Sequence, residues 1–142
     1  MRLKRLTTLR HRQHKSFVDS CSEHNIQKAL FEWLDYYPHV RGVSFAVENG
    51  GSRHIVEAKN LKSRGVTAGI PDVFILIPRD VYYGLLIELK KKDGVVKAHQ
   101  HIIHERLRKN GYKVEVCYSL DEAIVCIEQY LGVYLNARQQ SV

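Results

Sequence analysis

Gly69-Ile70-Pro71-Asp72-Val73-Phe74-Ile75-Leu76-Ile77, then Leu85-Leu86-Ile87-Glu88-Leu89-Lys90, are two apolar runs of strand length separated by a polar break. An acid opens the first run; an acid and a lysine close the second. After Asp72 the first run is apolar at every position, as expected of a strand buried on both faces within a sheet. The connection, residues 78–84, is short, so two antiparallel strands joined by a hairpin are the simplest geometry. With the loop centred near Asp80 or Val81, Asp72 lies across from the segment 88–90. Strand side chains alternate with a period of two, so Glu88 and Lys90 share a face. Spacing alone therefore gathers Asp72, Glu88 and Lys90 at one end of one sheet.

Working outward, residues 1–17 carry Arg2, Lys4, Arg5, Arg10, Arg12 and Lys15 without an acid. Such a block reads either as an arm that orders on a polyanion or as a mobile terminus. Ser20-Cys21-Ser22-Glu23 has capping-box spacing and predicts a helix from near Ser20, with Ile26, Leu30, Phe31 and Leu34 as its apolar stripe. Glu23 and Gln27 share that inward side, where Glu23 serves either as a cap or near a metal. Tyr36-Tyr37-Pro38 should end the helix. Val43 to Val47 alternates as a strand. Glu48-Asn49-Gly50-Gly51 is a turn, and Ser52 can cap a short helix ending at Gly65. Arg53, Lys59, Lys62 and Arg64 form its basic outer face, a candidate phosphate-contacting surface as well as an ordinary solvated one.

Beyond the central runs, Lys91-Lys92-Asp93-Gly94 is a basic turn. A helix is expected from Val96 to about Lys109, with Val96, Gln100, Ile103 and Leu107 on one side and Gly111 as its stop. Residues 113–118 form another strand. Ser119-Leu120-Asp121-Glu122 repeats the capping-box spacing before a helix whose face is Leu120, Ala123, Ile124, Ile127 and Leu131. The polar end from Asn136 should fray.

Phosphodiester cleavage requires neutralising charge on phosphate oxygens and delivering water in line, and a hard divalent ion serves both needs. Magnesium takes oxygen ligands and keeps several waters, so two or three carboxylates suffice. Asp72 and Glu88 are such a pair, and the Leu89 carbonyl, pointing sideways from its strand, can add a ligand. Lys90 can orient water or stabilise developing charge. Two acids this close repel, so without a cation the pair is expected to be unstable or to hold one proton. The plainer alternative is that Glu88 and Lys90 face solvent and Asp72 is a turn residue.

At these residues the sequence resembles the PD-(D/E)XK nuclease superfamily, and more specifically the VRR-NUC family. Glu23 and Gln27, Glu48-Asn49-Gly50, Gly65-Val66, Gly69-Ile70-Pro71-Asp72, Ile87-Glu88-Leu89-Lys90, Gln100 and Gly111-Tyr112-Lys113-Val114 carry the resemblance. It implies an α/β restriction-endonuclease-like fold, a central mixed sheet flanked by helices. It further implies Mg2+- or Mn2+-dependent cleavage of DNA. Asp72, Glu88 and Glu23 would hold the metal with the Leu89 carbonyl. Lys90 would assist water, and Gln100 would complete the site. Stand-alone members are similar to Holliday-junction resolvases and form homodimers, whereas larger repair members favour 5′ flaps. The expectation is thus a homodimeric endonuclease of branched DNA. The family often places an aromatic residue three positions after the glutamine, where this chain has Ile103. Along the chain the reading gives a basic arm over 1–19, a nuclease domain over 20–133 and a polar tail over 134–142.

The chain as a whole agrees with this. Its 142 residues suit one domain, and a net charge of +7 favours a polyanionic partner. Arg53, Lys59, Lys62, Arg64, Lys91 and Lys92 are the candidate DNA contacts. No apolar run approaches a membrane span or a signal peptide, and three cysteines without C-x-x-C spacing suit a reducing compartment. The expected location is the cytoplasm of a bacterium or phage-infected cell. One rival is a weakly active or inactive DNA-binding protein that keeps the nuclease fold. Another is a transition-metal site among His99, His101 and His104, which lack metal-protease spacing and are expected to be solvated or to meet phosphates.

Overall fold

The computed structural model describes residues 22–47 and 55–136. The basic arm, Ser20, Glu48-Asn49-Gly50, Ser52 and Arg53 lie outside the described residues. The helix α1 (Glu23–Leu34) starts at a different cap from the one expected. Ser22 is the N-cap, its Oγ accepting from the Asn25 N–H at 3.4 Å, and Glu23 is therefore the first helical residue. Ile26, Leu30 and Leu34 bury the predicted stripe. The helix stops at Leu34, and Pro38, rather than simply ending it, opens a further helical turn, α2 (Pro38–Arg41), where its fixed φ suits the first position.

A four-stranded sheet follows in the order β1 (Ser44–Ala46), β2 (Val73–Ile75), β3 (Leu85–Leu89), β4 (Lys113–Cys117). The first two pairings are antiparallel and β3 with β4 is parallel, so the sheet is mixed, as expected. Helix α3 (Ile55–Ser63) links β1 to β2, with Gly65 beyond it at φ +92°. Helix α4 (Ala98–Lys109) provides the crossover that a parallel pair demands, and Gly111 turns the chain into β4 at φ +89°. Helix α5 (Leu120–Leu131) is capped by Ser119, whose Oγ accepts from the Glu122 N–H at 3.1 Å. Glu122 returns its carboxylate to the Tyr118 N–H at 2.7 Å, one residue before the capping-box partner.

The two sides of β3 divide the molecule. Leu85, Ile87 and Leu89 point into the main core with Val73 and Ile75, covered by α1 and by Leu120, Ala123, Ile124, Ile127 and Leu131 of α5. Each fully buried Leu or Ile contributes about 1.5–3 kcal/mol, so this face anchors the sheet. Tyr130 joins it, its hydroxyl donating to the Ile77 carbonyl at 2.6 Å. A 3-10 turn over Gly132–Asn136 then brings Leu135 into the same core, so close packing continues beyond residue 133. Leu86, Glu88 and Lys90 point to the opposite side, toward α4, and β3 is buried throughout. The strand β2 departs from expectation. One face is buried, but Phe74 is half-buried and Leu76 is 48 % exposed on the other, because α4 covers β3 and β4 rather than β2. Among the described residues no helix is long and apolar enough to cross a membrane.

Candidate active site

The hairpin register settles how the two motifs meet. Val73 pairs with Ile87, and the loop turns at Asp80 (φ 51°), so one step further along the strands Asp72 stands opposite Glu88. The Leu89 N–H, on the β2 side of β3, is accepted by Asp72 Oδ2 at 2.8 Å. A side-chain carboxylate thus takes the place of a backbone acceptor where the strand ends at Pro71. On the other edge, the Lys90 N–H donates to the Cys117 carbonyl at 2.9 Å, tying the end of β3 to β4.

Glu88 is the centre of the cluster, 1 % exposed. Lys90 Nζ lies 2.8 Å from its Oε1, and Gln100 Nε2 donates to the same oxygen at 2.6 Å. Gln100 sits in the first turn of α4, where its Oε1 accepts the Lys97 N–H at 2.9 Å. That bond closes back on the helix N-terminus in the manner of a capping residue and leaves only the amide NH2 to face Glu88. Gly69 allows the approach. At φ +86°, a Cβ there would stand 3.0 Å from the His99 carbonyl and 3.3 Å from Gln100 Cα. The glycine three residues before Asp72 therefore lets the loop press against the turn that carries Gln100.

One neighbour was not anticipated. His104 is 1 % exposed rather than solvated, with Nε2 3.5 Å from Glu88 Oε2, and neither atom has a hydrogen-bond partner among the described residues. It lies one helical turn after Gln100, so the i, i+4 spacing was the signal available in the sequence. The reading of the histidines as a solvated group is thus corrected for His104, while His99 and His101 are exposed. Glu23 is exposed, and its Oε1 accepts the Lys91 N–H at 3.3 Å, which keeps its charge within reach of Asp72 and Lys90.

The electrostatics follow from burial and crowding. Burial, then the Glu88 charge, push the Asp72 carboxyl up to about 6, against the Leu89 N–H and Lys90, which favour its anion. Burial works against the Lys90 ammonium, but its bond to Glu88 and the charges of Glu88, Glu23 and Asp72 outweigh that and raise its pKa. Burial lowers His104 even beside a carboxylate, so the imidazole is neutral at pH 7. Among the described residues no group of three His, Cys, Asp or Glu side chains forms a ready metal cluster. What the site offers is two carboxylates, one of them reluctant to ionise, with a buried oxygen of the other lacking a hydrogen-bond donor. This hard oxygen set fits a divalent ion that keeps much of its own water.

The candidate DNA contacts distribute around this centre. Lys91 and Lys92 are exposed immediately after β3, and Lys59, Lys62 and Arg64 are exposed on and after α3. Arg64 lines a cleft of about 550 Å³ between β1 and the segment 61–70.

A family profile described as the VRR-NUC domain matches residues 21–121. Among solved structures, one named "VRR_NUC domain protein" is 28 % identical with a TM-score of 0.68, over 79 % of this chain and 89 % of that one. A second, named "VRR_NUC domain", is 25 % identical with a TM-score of 0.50, over 76 % and 96 %. No curated protein matches the chain.

Proposed function

The chain belongs to the VRR-NUC domain family, a family of nucleases that act on DNA, and on that premise we propose that it is a Mg2+- or Mn2+-dependent endonuclease of branched DNA. The observation that carries the reading is the juxtaposition of Asp72 and Glu88 across the β2–β3 hairpin, with Lys90 held on Glu88 at 2.8 Å.

Asp72 and Glu88 would hold the ion. The Leu89 carbonyl would assist, since the N–H and C=O of one strand residue leave by the same edge and the N–H already meets Asp72. Glu23, anchored by the Lys91 N–H, adds negative charge at the outer rim. When bound, the ion supplies polarisation of the phosphoryl oxygen and activation of water. The chain's own groups do the rest. Gln100 fixes the Glu88 carboxylate from the α4 side by its hydrogen bond, and the His104 imidazole lies beside the second oxygen. Lys90, kept cationic by the acids around it, orients the attacking water and stabilises charge developing on the phosphate. Lys59, Lys62, Arg64, Lys91 and Lys92 contact the phosphate backbone, as would Arg53.

Four-way junctions are the substrate we favour, cut by a homodimer. Resolving a junction takes two incisions, and each chain carries one such site. A cleavage panel tests this, comparing four-way junctions, 5′ flaps, duplex and single strands with Mg2+, Mn2+ or chelator, alongside solution mass. Junction cutting that requires metal and is lost in Asp72→Ala and Glu88→Ala is expected. Cutting that survives chelator, or either substitution, overturns the assignment; a preference for flaps, or a monomer at active concentrations, overturns the junction reading.

A further inference from the structure

We propose that the open sheet face beside the site is a stacking platform for nucleobases of the DNA left unstacked at a branch, built on Phe45 and Phe74. It rests on the nuclease reading and names what in the substrate is read. The register places Phe45 opposite Phe74, and their rings stack with centroids 5.2 Å apart and planes within 18°. Phe45 is 44 % exposed, and Val43 and Leu76, the next pair along the same face, are 42 % and 48 % exposed. This is the face that also carries Asp72 and Glu88. Phe74 is two residues from Asp72, a separation of about 7 Å along a strand, or about two base steps of a duplex.

Charge decides what the platform takes. Arg64 lines the same cleft as Phe45, and Lys59 and Lys62 are exposed on α3, whose Leu61 also lines that cleft, with Glu57 as the acid of that helix. A second copy docking on this patch by a two-fold would bring these cations toward their own counterparts. Four apolar side chains also fall short of the area a stable protein interface buries. A nucleic acid strand satisfies both halves: its phosphates meet the cations and its bases meet the rings, a pairing that is tolerant of sequence because every base has a π-face. Bases within a continuous duplex keep their faces hidden in the stack, so the platform favours DNA in which stacking is broken at a branch, at the open centre of a four-way junction as at the foot of a flap. Structure selectivity would then originate beside the metal ligands rather than in the phosphate contacts.

The test uses the full chain in chelator, so that binding is read without cleavage. Two probes are compared: a 5′-flap DNA with 2-aminopurine as its first unpaired base, and the fully paired duplex of equal length. The wild type is expected to prefer the flap and quench its fluorescence. Phe45→Leu, which keeps an apolar side chain at an exposed position, should shrink that preference roughly ten-fold or more and relieve the quench. Phe45→Trp should retain both. An unaltered preference in Phe45→Leu, an equal loss on both probes, or Phe45→Trp behaving like leucine overturns the platform. So does a halving of solution mass in Phe45→Leu, which would make this face a dimer contact. The nuclease reading fails separately, on absent cleavage with Mg2+ and Mn2+, and leaves the stacking readout intact.

Discussion

Replacing Asp72 by asparagine should make the metal-free protein more stable while removing its response to metal. The substitution keeps an oxygen acceptor for the Leu89 N–H and deletes the charge that burial and Glu88 oppose. The carboxyl moves from an ordinary 3.8 to about 6 on folding. The folded state therefore binds this proton more tightly than the unfolded chain. The stability this protonation contributes is whole below pH 3.8 and is lost as pH rises through 6. The displacement corresponds to about 3 kcal/mol, and the partial opening of the site to solvent reduces it to about 1–3 kcal/mol. Asparagine escapes that loss, so at pH 8 in chelator the variant should melt about 3–10 °C higher. Well below pH 3.8, where Asp72 is protonated in both states, the two proteins should melt together. Added Mg2+ should raise the melting temperature of the wild type through binding to the folded state and leave the variant where it is. A variant that melts lower in chelator at pH 8, a difference independent of pH, or an equal gain from Mg2+ in both proteins would refute the reasoning.

Lys90→Gln keeps a donor for the buried Glu88 but removes the cation; cleavage should fall about 100-fold or more, with junction binding retained in a gel-shift assay. His104→Leu preserves most of the buried volume and withdraws the imidazole from Glu88 Oε2; half-maximal cleavage should need about 10- to 100-fold more metal, measured by metal titration. Tyr130→Phe strips the Ile77 carbonyl of its donor and should cost about 1–3 kcal/mol in denaturant unfolding without changing cleavage, since that bond lies on the far side of the sheet.

The hairpin was legible because its physics is local. A short loop fixes the register, the period of two fixes the faces, and Asp72, Glu88 and Lys90 follow. Gln100 was legible by resemblance, but the reason it holds was not, because its bond to the Lys97 N–H depends on α4 beginning at Ala98 rather than Val96. His104 was hidden by its neighbours. In a helix with His99 and His101 on the surface, composition suggests solvation, and only the packing of α4 on β3 singles out one of the three. The open face of β2 was misjudged for a related reason. An apolar run reports that residues are suited to burial, not which helix arrives to cover them. Ser22 rather than Ser20 is the cap because several serines can serve one helix start, and it is the Ser22 hydroxyl that accepts from a free N–H of the first turn.

The bond from the Leu89 N–H to Asp72 has a further consequence. Elsewhere β3 is held by backbone partners, which open only when strands separate. This amide is held by a single rotatable carboxylate at the margin of the ladder. Its hydrogen should exchange with solvent whenever that side chain swings away, long before the sheet itself breaks. A cation captured by Asp72 and Glu88 would arrest the swing, so the exchange rate of one backbone hydrogen, followed with and without Mg2+, becomes a clock for how often the site is closed.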